Sequence, residues 1–173
     1  MAGLSESRSG EKDSFWSWRK RMYHFLKVLS PEDVEAIASQ LYLEMLKAGY
    51  TSVGEFHYLH HDVDGKHYAN PAEMSERIMA ASETTGIGLI HLPVLYRFGG
   101  FGSRDPSSQH GRFIHKPDEF VHLLEKLHET RLFLEACNKG HRKPYQFLLF
   151  LQIAFCIRAC LRTFCIRAFF KVV

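Results

Sequence analysis

Apolar residues recur at helical spacing between residues 30 and 49, where Val34, Ile37, Ala38, Leu41, Tyr42 and Met45 would share one face. Ser30 suits the capping position, Pro31 the first helical position, and Glu32 and Asp33 the positive end of the helix. Gly49 is the expected stop. A short strand is then predicted over Thr51 to Tyr58, reading TSVGEFHY. The unit repeats. Asn70, Pro71 and Glu73 form a second start signal, with Glu73 placed for a capping box, and that helix runs to about Gly86. Residues 87–96, IGLIHLPVLY, are almost continuously apolar, as suits a strand of a parallel sheet covered on both faces. A third helix starts near Pro117 and carries Phe120, Leu123, Leu124, Leu127 and Leu132.

Helix, strand, helix, strand, helix is the grammar of an α/β protein whose parallel strands are joined by right-handed crossovers. Two strands cannot close a sheet, and each would keep an open apolar edge unless something covers it. At 173 residues the chain is long enough for one ordinary domain. It falls short of the roughly 250 residues of a complete eight-fold barrel.

Charge divides the chain. Residues 1–140 hold all 19 acidic residues and 16 of the 22 basic ones, so the net charge of +3 comes from the last segment. Residues 141–173 carry Arg142, Lys143, Arg158, Arg162, Arg167 and Lys171, together with Cys156, Cys160 and Cys165. A nucleic-acid surface needs basic residues laid on a folded face, and here the surplus sits in one apolar tail. The longest uncharged stretch of that tail, Pro144 to Ile157, is 14 residues, short of the ~20 needed to span a bilayer. FCIRA occurs twice in it, at 155–159 and 164–168. Two readings stay open: a basic membrane-surface helix, or, the favoured one, a tail never selected to fold, as from a shifted frame. The segment 1–13 reads as a polar loop, with no charged n-region ahead of an apolar stretch. Cysteine usage suits a reducing cytoplasm, and Cys137 is expected to pack.

Two segments concentrate chemistry. Glu55 to Asp62, EFHYLHHD, packs three histidines and two carboxylates at the C-terminal end of a predicted strand, the active face of α/β barrels. Imidazole with carboxylate suits zinc, and a small metal protein built on His57, His60 and His61 is one reading. No H-x-H or H-E-x-x-H spacing occurs, and the favoured expectation is a polar loop with surface histidines; a substrate-contact role for one or two of its side chains is a further alternative. The second segment, Ser14 to Arg19, places both tryptophans beside an arginine whose fork matches a carboxylate. Its plainer reading is a helix start with the aromatics in the core and Arg19 in solvent. The Gly-rich loop 97–103 has neither G-x-G-x-x-G nor a Walker lysine and is expected to be a mobile loop rather than a phosphate cradle. No G-x-S-x-G elbow is present.

SFWSWR at 14–19, QLYLEMLKAGYTSVGEFHYLHHDVDG at 40–65 and GIGLIHLPVLYRFGGFG at 86–102 resemble formimidoylglutamate deiminases of the amidohydrolase superfamily. The resemblance runs from about Met1 to about His141. It implies a partial (β/α)8 barrel of the metal-dependent amidohydrolase type over 14–140, between the polar loop 1–13 and the aberrant tail 141–173. It implies a cytoplasmic, homo-oligomeric hydrolase of histidine degradation that turns N-formimino-L-glutamate and water into N-formyl-L-glutamate and ammonia. A zinc-bound hydroxide attacks the formimino carbon in that family. Residue by residue, Arg19 in FWSWR matches an arginine that pairs with the substrate α-carboxylate. Tyr58 in EFHY matches a tyrosine that hydrogen-bonds the same group.

The departures are expected to decide activity. The family's H-x-H metal pair should precede a stretch like Met1 to Leu4, and its strand-four histidine and arginine should follow Gly140-His141. Neither is found in this chain. The expectation is a chain truncated at both ends, with a frameshift near residue 141, no catalytic residue and no metal ligand of its own, and no zinc bound. The alternative is a non-catalytic half-barrel that binds a partner, associated with a membrane surface through its tail.

Overall fold

A computed structural model describes residues 15–100 and 102–137. Its elements are α1 (Phe15–Leu26), α2 (Pro31–Lys47), β1 (Ser52–His57), α3 (Glu73–Thr85), β2 (Gly88–Pro93), a 3-10 turn (Ser108–His110) and α4 (Pro117–Cys137). The expectations for 1–13 and 141–173, and the packing expected of Leu132 and Cys137, fall outside what is described.

α2 begins as its sequence predicts. The Ser30 hydroxyl accepts from the Asp33 N–H at 3.1 Å, and the Ser30 N–H donates to the Asp33 carboxylate at 3.0 Å, a reciprocal capping box. α3 begins differently from its expectation. Its N-cap is Ala72, without a side-chain cap. Asn70 instead accepts the Ala72 N–H at 3.1 Å and donates to Glu76 at 2.8 Å. Glu73 is thereby left outside any box and pairs with Arg77, 2.8 Å away. Arg77 also reaches Glu32 and Glu35, tying α3 to α2. α3 stops at Gly86, whose φ of 84° costs little without a Cβ and whose N–H caps Ser82 at 2.8 Å.

β1 and β2 pair in parallel, with Val53 beside Leu89, Glu55 beside His91 and His57 beside Pro93. β1 alternates strictly, burying Val53, Glu55 and His57 and exposing Ser52, Gly54 and Phe56. One face of the sheet is therefore covered, and Phe56 on the other is 41% exposed. β2 is not closed on both faces along its length, because Gly88 and Ile90 stay half-buried. The core gathers Tyr42 from α2, Val53 and Leu89 from the strands, Ile78 and Met79 from α3, and Phe120, Leu123 and Leu127 from α4. Burying such side chains is worth about 1.5–3 kcal/mol each, which is what holds two short strands beneath three helices.

One carboxylate enters this core with a partner. Glu55 is buried on the covered face and accepts a hydrogen bond from the Tyr42 hydroxyl. Burial and the neighbouring carboxylate push the Tyr42 phenol well above its ordinary range, so it serves as a neutral donor. No helix among the described residues is long and apolar enough to cross a membrane.

Candidate functional site

Parallel strands aim their carboxyl ends at one edge of the sheet, and the loops leaving that edge converge here. Arg112 fastens them together. Its Nε donates to the His61 carbonyl at 2.9 Å, and its Nη1 donates to the carbonyls of Leu26 and, at 3.0 Å, Leu29. Its own carbonyl accepts the N–H groups of His60 at 2.9 Å and His61 at 3.1 Å. One buried side chain thus joins the end of α1, the loop after β1 and the segment 107–116. The chain leaving β2 is added by the His115 N–H, which donates to the Tyr96 carbonyl at 3.0 Å.

The first assembly at this edge is aromatic and cationic. Tyr23 and Leu26 of α1 pack with Phe113, and Tyr58 and Tyr96 lie against them. Tyr58 meets Phe113 edge-on at 5.3 Å between ring centres. Arg19, one helical turn before Tyr23, donates from Nε at 3.3 Å and from Nη2 at 2.9 Å to the Tyr23 hydroxyl. Its Nη2 also stands 3.4 Å from Nε2 of His110. The His110 ring is stacked on Tyr96 at 6.1 Å and edge-on to Tyr23 at 5.7 Å. Burial and the Arg19 charge hold His110 below the ordinary imidazole range, so it is neutral near pH 7.

Arg19 and Tyr58, thirty-nine positions apart in sequence, therefore border one aromatic cluster. The plainer expectation for Arg19, a solvated cation, is corrected: it is half-buried and engaged by Tyr23. Trp18 is half-buried, while the side chain of Trp16 lies outside the described ones. Tyr23 and His110 were not singled out from sequence. Tyr23 was signalled by its spacing of four from Arg19 on a helix. His110 is 91 residues away, and no local pattern marks it.

The second assembly is made of imidazoles. His57, His60 and His61 are 5%, 2% and 3% exposed, which corrects the expectation of surface histidines. Their rings join those of His67, His91 and His115, with neighbouring centres such as His61–His67 at 4.3 Å, His60–His115 at 4.6 Å and His57–His91 at 5.1 Å. Nε2 of His60 donates to the Val94 carbonyl at 3.1 Å, and Nε2 of His61 to that of Ile114 at 2.7 Å. Burial, and next the mutual repulsion of the rings were they charged, holds His60 and His91 well below the ordinary range. The same causes bring His115 down to about 4. The six rings meet edge to face or at a tilt. Among the described residues no group of three or more His, Cys, Asp or Glu is placed to hold a metal ion. The donor set of EFHYLHHD does not fit zinc.

The Gly-rich loop folds back on itself. The Gly99 N–H donates to the Arg104 carbonyl at 2.8 Å, and a Cβ on Gly99 would meet the Asp105 carbonyl oxygen at 2.6 Å. Only glycine allows that approach.

No family model matches the chain. Formimidoylglutamate deiminase of Pseudomonas aeruginosa is 54% identical over 141 residues, covering 82% of this chain and 30% of that protein. A crystal structure of an amidohydrolase from Brucella melitensis is similar with a TM-score of 0.72 and 51% identity, covering 78% of this chain and 30% of that one. The chain thus spans about 30% of the length of the relatives it matches. It carries an α/β segment of amidohydrolase type whose sequence matches part of a formimidoylglutamate deiminase.

Proposed function

We propose that this segment is the carboxylate-anchoring part of an N-formimino-L-glutamate deiminase, and that the chain by itself holds the substrate without turning it over. One observation carries the proposal: Arg19 and Tyr58, which match the family's substrate anchors, border the same aromatic cluster at the carboxyl ends of the strands. The guanidinium supplies the charge and the fork for the α-carboxylate, and the phenol supplies a neutral donor. The rings of Tyr23, Phe113 and Tyr96 limit water around that pair, which strengthens each bond made there.

In the complete enzyme the two strands take their place in a (β/α)8 barrel in the cytoplasm, within a homo-oligomer that does not bind nucleic acid. Zinc there would supply the hydroxide that attacks the formimino carbon, held by residues other than those described here. Calorimetric titration of the purified chain with N-formimino-L-glutamate tests the anchoring role, with ammonia release followed in parallel. Binding weakened by about tenfold or more in Arg19→Gln, with no ammonia above buffer, is the expected result. Turnover by the chain together with one tightly bound zinc would overturn it.

A further inference from the structure

A phenol hydroxyl has one proton to donate and lone pairs that accept. The Tyr23 hydroxyl turns its accepting side to Arg19, taking Nε at 3.3 Å and Nη2 at 2.9 Å. A guanidinium only donates, so the Tyr23 proton points elsewhere. The ring meets His110 edge-on at 5.7 Å and Phe113 at a tilt at 6.1 Å, and neither contact engages the hydroxyl. No group among the described residues accepts that proton. Tyr23 is nevertheless only 8% exposed. The cation against its oxygen draws electron density away from the O–H bond, which makes the proton a stronger donor.

We propose that Tyr23 is a further anchor of the carboxylate subsite, its hydroxyl taking two N–H bonds from Arg19 and giving its own proton to a carboxylate oxygen. A carboxylate only accepts, and its charge suits the guanidinium that the same hydroxyl holds. Phe113 spaces Tyr23 from the second phenol of the site, because Tyr58 meets it edge-on at 5.3 Å. Tyr96, 6.0 Å from Phe113, brings no competing anion. Burial, and next the Tyr23 phenol beside it, hold its own phenol above the ordinary range. A spacing of four along α1 sets Tyr23 against Arg19, and the fold adds Phe113 and Tyr58. The free Tyr23 proton stands without any substrate. Only the identity of the carboxylate rests on the deiminase reading above.

The test is titration of the full chain with N-formimino-L-glutamate, with the analogue whose α-carboxylate is a carboxamide, and with sodium acetate. Tyr23→Phe removes the hydroxyl and keeps the ring against Phe113 and His110. It should weaken N-formimino-L-glutamate by about tenfold or more, because the lost bond is made to a charged oxygen, and the carboxamide analogue by only about threefold. Equal affinities of wild type and Tyr23→Phe for N-formimino-L-glutamate, or equal losses for the two ligands, would overturn the proposal. Fluorotyrosine in place of Tyr23 separates a donor to the ligand from a brace for Arg19. Fluorine makes a phenol a stronger donor and a weaker acceptor. At a pH where that phenol keeps its proton, N-formimino-L-glutamate should therefore bind more tightly. Weaker binding would overturn the proposal, because the hydroxyl would then serve only to hold Arg19. This variant keeps both ring and hydroxyl, so it decides even where Tyr23→Phe does not fold. If acetate shifts the Tyr23 ring signals while N-formimino-L-glutamate does not, the subsite stands and the substrate reading fails. If neither ligand shifts them, both fail.

Discussion

Two polar assemblies lie at the same edge of the sheet and are built on opposite terms. Around Arg19, the guanidinium donates to the Tyr23 hydroxyl and stands beside the His110 ring, and Arg19 and Tyr58 remain half-buried. Around His60, five buried imidazoles and the exposed His67 are in ring contact, and burial pushes His60, His61, His91 and His115 toward the neutral form. His57 Nε2 and His115 Nδ1 have no hydrogen-bond partner among the described residues. The first assembly keeps a cation at a half-buried place. The second has become core. Histidine content is thus a poor guide to chemistry, because the same side chain behaves as a polar group or as a flat ring according to the water it keeps.

The comparison can be broken most strongly with acid. Each buried imidazole with a depressed pKa binds its proton more readily in the unfolded chain. Stability from these groups is therefore full above the unfolded value near 6.5 and falls as the pH drops toward the folded value. For His115, brought down to about 4, the loss between pH 6.5 and 4 is about 3 kcal/mol, since one pKa unit is worth about 1.4 kcal/mol. His60 and His91 add to it in the same direction. Urea unfolding at pH 7 and at pH 4.5 should show a large drop in midpoint. Replacing His115 with Phe should flatten that dependence. An unchanged midpoint at pH 4.5 would mean the rings are not buried as described.

Arg112 holds both assemblies, so its removal should not discriminate between them. Arg112→Met deletes the donors to the carbonyls of Leu26, Leu29 and His61 and leaves those oxygens unpaired. A loss of about 2–3 kcal/mol is expected, with the ring signals of His110 and His61 perturbed together. A change confined to one cluster would show that Arg112 is not their common fastening. Beneath both assemblies, Tyr42→Phe should cost about 1–2 kcal/mol, because Glu55 is left buried without that donor.

How much of this was legible beforehand follows from range. The α2 cap, the strand within TSVGEFHY, the stop at Gly86 and the helix start near Pro117 are local, and short sequence signals announced them. The α3 start was misjudged because Asn70 bonds within its own loop, which the pair Asn70 and Glu73 does not reveal. Arg19 and Tyr58 came from resemblance, and their meeting at one cluster required the fold. The burial of His57, His60 and His61 was not legible, since EFHYLHHD is polar by composition. What buries it is Arg112 and the segment behind it, some fifty positions on.

The smallest expected effect on stability sharpens the comparison furthest. Arg19 is half-buried, and its bonds to Tyr23 are neutral–cation contacts partly open to water. Arg19→Gln should therefore destabilise the chain by less than about 1 kcal/mol, within the range of ordinary surface changes. Its unfolding midpoint should stay near wild type from pH 7 to 4.5, because the imidazole core is untouched. Binding should tell the other story, falling by about tenfold or more for N-formimino-L-glutamate. A residue whose removal spares the fold and abolishes ligand capture belongs to a site. A residue such as His60, whose replacement should do the reverse, belongs to a core. If Arg19→Gln unfolds the chain as readily as acid does, the distinction collapses, and the guanidinium is one more structural fastener like Arg112.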